Sequence, residues 1–473
     1  MLVKFLSYSY PLVLLSASLC PPAGESYTIC LPQHLDLNES GSFIVEMQDS
    51  TLLDNETVYV EFDNTFTLSD AHGKPNISGS ILNNEISFTN NDMSTKTINY
   101  TINDASVGSW SGNLDVNITL DRQIETNLLI DGTSINNILK QINPTIVTFS
   151  HDIIDGDYLY DLSLAQDESI LLYQNGSEVI ISNASNVPIK ANEDMSNTFL
   201  RLNSITNINN LNYLDMSDCI NMSRMFSFCT SVTSIDVSDF DTSKCKNMSY
   251  MFDCMHSCTS IGNITNWDVR NVEDFSHFLN DNKALKTFPA DFSNWQVSNK
   301  CTNTSYMFCS VGYTPGKNGQ SIWPANVDLS SWDTSNIEDM SYMFKNSFMM
   351  TTLNVSGWET SKVTNMSCML EMIDSLEKSR LATIIGLQDF DVSNVTNMSS
   401  MFSGCRSLAS ANFTTWNPIS VTSLNSTFKD CRNLDLSVFE NWNIDKTKVD
   451  ITNCFASNAG YYVDKTYKPS WSN

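Results

Sequence analysis

The chain offers five imidazoles for acid–base work or metal ligation at neutral pH: His34, His72, His151, His256 and His277. None sits in an HExxH pair, the spacing that puts two zinc ligands on one helical face. The stretch GSWSG (108–112) has the outline of a nucleophile elbow, but its centre is Trp110, where the chemistry needs a serine. No glycine-rich phosphate loop is present. Thirteen cysteines add thiol chemistry on paper. Cys20 and Cys30 stand near the start and the other eleven lie between Cys219 and Cys454, with no CxxC pair among them. An odd set without paired spacing makes a poor disulfide framework and a poor zinc site. A row of acids (Asp236, Asp241, Asp333, Asp391) could hold calcium, but Asp at turns more often bonds its own backbone. These readings point to a chain that is not an enzyme and carries no metal and no cofactor.

Composition narrows the partners. Of 473 residues, 53 are acidic and 26 basic, a formal net charge of −27. Phosphate backbones and anionic lipid surfaces would repel such a chain, which excludes nucleic acid. A hydrophobic fraction of 41% is enough for a packed core. The first residues, MLVKFLSYSYPLVLLSASLCPPAGES, read as a secretory leader over 1–24: Lys4 gives a basic start, Pro11–Leu19 a short apolar run, and Ala23 and Gly24 a small-residue end. Cys20 raises the question of lipidation, although Leu19 before it is larger than a lipobox allows. No later run approaches the 18 or so apolar residues of a membrane helix.

The elements that would hold these residues repeat. The phrase DVSNVTNMSSMFSGC (391–405) has close copies at 333–347 and 241–255. Aligning on its MF gives a column of Phe199, Phe226, Phe252, Phe278, Phe308, Phe344, Leu370, Phe402, Phe428 and Phe455, with gaps of 27, 26, 26, 30, 36, 26, 32, 26 and 27. The base period is 26 and the longer gaps are insertions. Val395, Met398, Met401 and Phe402 fall on one face of a short helix, with Ser393 placed to cap it and Gly404 to end it. Leu353 and Val355, like Ile235 and Val237, alternate as in a short strand. An aromatic corner follows at Phe240, Trp267, Trp295, Trp332, Trp358, Phe390, Trp416 and Trp442. A two-turn helix and a lone strand are unstable alone, so the copies must bury each other's apolar faces.

VTNMSSMFSGCRSLASANFTTW resembles the 26-residue repeat of BspA-like bacterial surface proteins, a leucine-rich-repeat relative also seen in mycoplasma lipoproteins. The likeness runs from Asn192 to Phe455 and departs at Leu370, at FSHFLN (275–280) and at 308–324. It implies an α/β repeat solenoid of about ten coils over 192–455, and adhesion or protein binding as its work. Residues 25–121 hold short alternating segments, as in an antiparallel, Ig-like β-sandwich. Residues 122–191 would supply a linker and strands capping the first coil, and 456–473 a C-terminal cap.

The resulting expectation is a secreted or cell-surface repeat protein that binds an extracellular or host protein. A glycan-binding module and a purely structural spacer are the alternatives, the first requiring the Trp corners to face solvent. The insertion VGYTPGKNGQSIWP (311–324) breaks the period and brings Tyr313, Lys317 and Trp323, the candidate ligand-binding residues. The repeat-locked cysteines read as small core residues. Thiol titration of the unfolded, unreduced protein should therefore count close to eleven thiols from residues 219–454; a count near one would mean five disulfides.

Overall fold

The computed structural model describes, with side chains, residues 127–183, 187–287, 291–312, 322–373, 379–456 and 469–472, and before them the backbone of ten strands. The chain divides into two compact units, Met1–Thr126 and Asn127–Asn473.

In the first unit the strands are β1 (Leu2–Ser7), β2 (Leu15–Ser18), β3 (Glu25–Asp36), β4 (Ser40–Gln48), β5 (Glu56–Phe62), β6 (Thr65–Ser69), β7 (Ile77–Ile81), β8 (Glu85–Thr89), β9 (Lys96–Ile102) and β10 (Ser109–Ile124). They join in the order β2-β1-β4-β9-β7-β6-β10-β5-β8, with β3 also on β10. Every pairing is antiparallel. The alternating, β-branched segments of the sequence fall on these strands. Long β10 bonds β3, β5 and β6, which ties the set into one hydrogen-bonded sheet. The stretch expected as a leader carries β1 and β2.

The second unit begins at Asn127, so most of the expected linker belongs to it. Helix α1 (Gly132–Ile142), absent from the sequence reading, is capped by Asp131, which accepts from Ser134 N at 2.9 Å. Asn143 closes it in the left-handed conformation, its N–H on Leu139 O. Strand β11 (Ile146–Ser150) then pairs in parallel with β14 (Glu178–Ser182) and with β16 (Asn207–Asn209); β12 (Tyr160–Asp161), β13 (Leu171–Asn175) and β15 (Ile189–Lys190) complete this end.

From Asp194 onward the repeats are in register. Parallel bridges connect Asp194, Asn221, Asn247, Asp274, Asn303, Asp339, Asn365, Asn397, Ser423 and Asp450, each to the next. The phrase after each bridge is not the helix its periodicity predicts. From Asn221, the N–H groups of Met222, Arg224, Phe226 and Phe228 donate to carbonyls of Asn247, Ser249, Met251 and Asp253 in the following repeat. Met225, Ser227 and Cys229 bond three residues back within their own. A helix would turn every one of these donors onto a carbonyl four back. Here alternate amides point along the array, and the chain achieves this by placing the third residue after every bridge at a positive φ of 56–64°. Such residues are strained unless their surroundings fix them. The inter-repeat bonds do that, and the bridge residue helps: Asn221 Oδ1 accepts from Ser223 N and Asn397 Oδ1 from Ser399 N, each at 3.0 Å. Ser393 is likewise not a cap; its N–H donates to Asp391 Oδ1 at 2.9 Å.

Register also corrects the alignment at 274–279. The residue five after the bridge is Leu279, not Phe278, so the gaps there are 27 and 29. Phe226, Phe252, Phe344, Phe402 and Phe428 are all fully buried. Phe199–Phe226–Phe252 and Phe402–Phe428–Phe455 stack with centroids 5.4–5.6 Å apart. Phe308 and Phe344 pair at 5.9 Å between the two leucine interruptions, Leu279 and Leu370. The aromatic corners form a second buried column, with Trp332–Trp358–Phe390–Trp416–Trp442 at 6.1–6.3 Å. Trp471 extends it from the C-terminal tail. Indole N–H groups donate to carbonyls of the preceding repeat, Trp358 to Leu329 O at 2.8 Å and Trp416 to Leu387 O at 2.7 Å. Of the short strands expected within repeats, β17 (Leu214–Asp215), β18 (Asn326–Asp328), β19 (Thr352–Asn354) and β20 (Thr383–Ile385) are regular, and β18, β19 and β20 pair in parallel. At Ile235 and Val237 the inter-repeat bonds form without a regular strand.

The first repeat has open carbonyls that no preceding repeat can cover, and α1 covers them. Gly132 N donates to Asp194 O, and the buried Asn136 amide donates to both Thr198 O and Leu200 O at 3.3 and 3.1 Å. A Cβ on Gly132 would lie 2.4 Å from Thr198 Oγ1, so only glycine lets the helix approach. Asn136→Leu keeps the volume and orphans both carbonyls. Each orphaned group costs about 1–3 kcal/mol, so the thermal midpoint should drop by several degrees; an unchanged midpoint would show that this amide does not close the array.

Candidate functional site

Every third residue after a bridge is held left-handed, and these residues form a row: Asn197, Arg224, Tyr250, His277, Tyr306, Tyr342, Cys368, Ser400, Ser426 and Asn453. From Asn197 to Ser426 their N–H groups bond the next repeat, as from Tyr250 to Ser276 O and from Tyr306 to Ser341 O, both at 2.8 Å. Side chains at one slot of an in-register array must meet their copies one repeat away, at roughly the strand spacing of 4.8 Å. Where that slot is aromatic, rings stack. Tyr250 and His277 lie 4.1 Å apart, His277 and Tyr306 4.3 Å, and Tyr306 and Tyr342 4.1 Å, with interplanar angles of 8–9°.

A cation sits at each end of this ladder. The Arg224 guanidinium lies 4.8 Å from the Tyr250 ring and the Lys345 ammonium 4.9 Å from the Tyr342 ring. Arg224 is exposed and the four rings are half-buried. Lys345 is paired with Glu371 at 2.8 Å, and against the opposing effect of burial that carboxylate holds its ammonium above the ordinary value. The Tyr342 hydroxyl is pushed well up, first by its hydrogen bond with Cys368 and then by burial. His277, between two tyrosines, has its pKa lowered, first by burial; Asp253 and Asp274 oppose that and Arg224 adds to it. Its Nδ1 is buried and has no hydrogen-bond partner among the described residues.

The residues singled out from the sequence fall elsewhere. Tyr313 and Lys317 lie outside the described residues. Trp323 is buried rather than protruding, its ring edge-on to Phe308 at 5.8 Å and 5.9 Å from Phe344. The Trp corners are buried too, so they give a sugar no platform. The acidic row takes its turn role: Asp236, Asp241 and Asp333 each accept from the backbone two residues on, at 2.9–3.0 Å. The eleven cysteines from Cys219 to Cys454 are unpaired, and all except Cys254 are buried. Cys229, Cys405 and Cys431 donate to Phe199 O, Leu370 O and Phe402 O of the preceding repeat at 2.9–3.2 Å. Asn282 makes the same contact with Phe252 O through its amide. The ladder itself was visible as the variable letter in NMSYMF, FSHFL and TSYMF, a slot that attention to the fixed letters passes over.

A depressed histidine sets the sign of a pH effect. The unfolded chain takes up a proton on His277 near the ordinary value of about 6.5, while the folded chain resists it. Stability should therefore fall as pH drops through 6.5 and level off below the folded pKa. His277→Phe should flatten this part of the midpoint-versus-pH curve. Carboxylates with lowered pKa, such as Asp328 and Asp391, act in a more acidic window and would be untouched. An identical curve for the variant would mean that His277 is not held neutral.

Among the described residues no helix is long and apolar enough to cross a membrane. No curated protein and no solved structure matches the chain. Residues 193–323, 319–382 and 355–466 each match one family model, described as "Mycoplasma protein of unknown function, DUF285". The overlapping matches begin one residue before the first bridge and run past the last, more than half of the 473 residues. The matched region is thus that of the in-register repeats, and the chain belongs to DUF285.

Proposed function

We propose that this chain is an exported repeat protein that binds another protein through the face bearing Tyr250, His277, Tyr306 and Tyr342, its repeats wound as one solenoid of about ten coils. The continuous ladder of parallel bridges supports the solenoid reading. The leader-like start and the resemblance to BspA-like surface repeats support export and adhesion. The observation that carries the binding role is the half-buried ring ladder with a cation at either end.

The way the rings stack favours protein over glycan. A sugar binds an aromatic side chain by lying on its face, and here each inner face is already covered by the next ring at 4.1–4.3 Å. Ring edges and hydroxyls remain, which suit polar and apolar contacts across a protein interface, where Tyr and Arg are the common anchors. Rings already ordered by their neighbours lose little freedom on docking.

The full chain, immobilised, should capture defined extracellular proteins from a panel. Tyr306→Ala/Tyr342→Ala should lose them by at least roughly tenfold in Kd, the effect of about 1.4 kcal/mol, measured well below the lowered thermal midpoint of the variant, where it is still folded. A signal on a glycan array that depends on the same two rings would favour the carbohydrate-binding alternative. Capture unchanged by the double variant would remove the ladder from the function.

A further inference from the structure

Cys254 is the one described cysteine of the repeat array that is not buried, and it does not stand alone. It occupies the seventh position after the bridge at Asn247, and Asp281 occupies the same position in the next repeat. Register therefore sets the two side chains beside each other. Both residues are left-handed, and both are fixed by inter-repeat bonds, Cys254 N to Asn280 O at 2.9 Å and Asp281 N to Cys309 O at 2.8 Å. His256, two residues on, bonds Cys254 O through its own backbone N–H. Its Nε2 lies 3.0 Å from Asp281 Oδ2. One donor atom from each of the three side chains can be chosen so that all lie within 4.8 Å of one another.

We propose that Cys254, His256 and Asp281 form a site for one zinc-class divalent cation. One sulfur, one imidazole nitrogen and one carboxylate oxygen are the donors zinc takes, and three protein ligands leave a fourth position open to solvent. Small side-chain rotations would bring the donors onto one ion, because the backbone around them is already set. The neighbouring charges are mixed. Asp253, buried, places Oδ1 3.3 Å from Cys254 Sγ and 2.7 Å from Asn280 Nδ2, adding negative potential. Lys283 lies 2.8 Å from Asp281 Oδ2 and competes with the ion. Coordination converts the thiol to a thiolate, its proton leaving to solvent as the sulfur–metal bond forms.

Cobalt(II) reports on this chemistry, since a thiolate ligand gives a sulfur-to-cobalt charge-transfer band. Titrating the native, reduced full chain should yield that band with one equivalent bound, and Zn²⁺ should abolish it by competition. Cys254→Ser should eliminate the band. His256→Ala and Asp281→Asn should weaken binding by roughly tenfold or more, and Lys283→Ala should tighten it. These positions are partly exposed, and a matching thermal midpoint verifies that each variant is folded. Absence of the band, its survival in Cys254→Ser, or its appearance only on unfolding would overturn the site.

Discussion

Everything in the repeat array depends on one division of labour in the backbone. Alternate amides are given to the next repeat and the rest stay within their own. A helix keeps its hydrogen bonds to itself and would leave each repeat to dock by side chains alone. Here the connection between repeats is continuous main chain, as in a parallel sheet, although most of the residues involved are in turns. The cost is a left-handed residue at the same place in each repeat, ordinarily reserved for glycine or asparagine. The chain accepts Arg, Tyr, His, Cys and Ser there, because the bonds on either side allow no alternative.

The same register explains both the buried and the exposed columns. When every repeat is fixed to the next by its backbone, any slot becomes a file of side chains about one strand spacing apart. Apolar slots give the phenylalanine and tryptophan columns. Polar slots give the bridge residues that bond their own backbone. One outward slot gives Tyr250, His277, Tyr306 and Tyr342. None of these files requires a contact designed for it alone.

The sequence carried much of this. Period, extent and the inward aromatic corners could be read from Phe226 to Trp442, because burial selects residue type strongly. The helix could not be distinguished from the true conformation: Val395, Met398, Met401 and Phe402 face one way in either, and side-chain periodicity does not report where amides point. Phe278 drew the alignment one residue off because it is aromatic like its supposed equivalents, whereas Leu279 holds the slot. Helix α1 lies before the first repeat, so the 26-residue period does not signal it; Ile135 and Leu139 bury its apolar face, and Gly132 and Asn136 make its contacts with the first repeat. The ladder escaped because its slot varies, and a varying letter looks like surface until register is known.

The leucines at 279 and 370 interrupt the phenylalanine column and leave three runs: Phe199 to Phe252, Phe308 with Phe344, and Phe402 to Phe455. In a linear array each repeat is held only by its neighbours, so resistance to pulling is local. At both leucines the main-chain bonds run on, from Leu279 N to Met307 O and from Leu370 N to Met401 O, and rings still meet alongside, Phe252 against Phe278 at 5.3 Å and Trp358 against Phe390 at 6.1 Å. The leucines therefore change the packing of one column without cutting the array into separate blocks, because each slot's file is only one of several connections between neighbouring repeats.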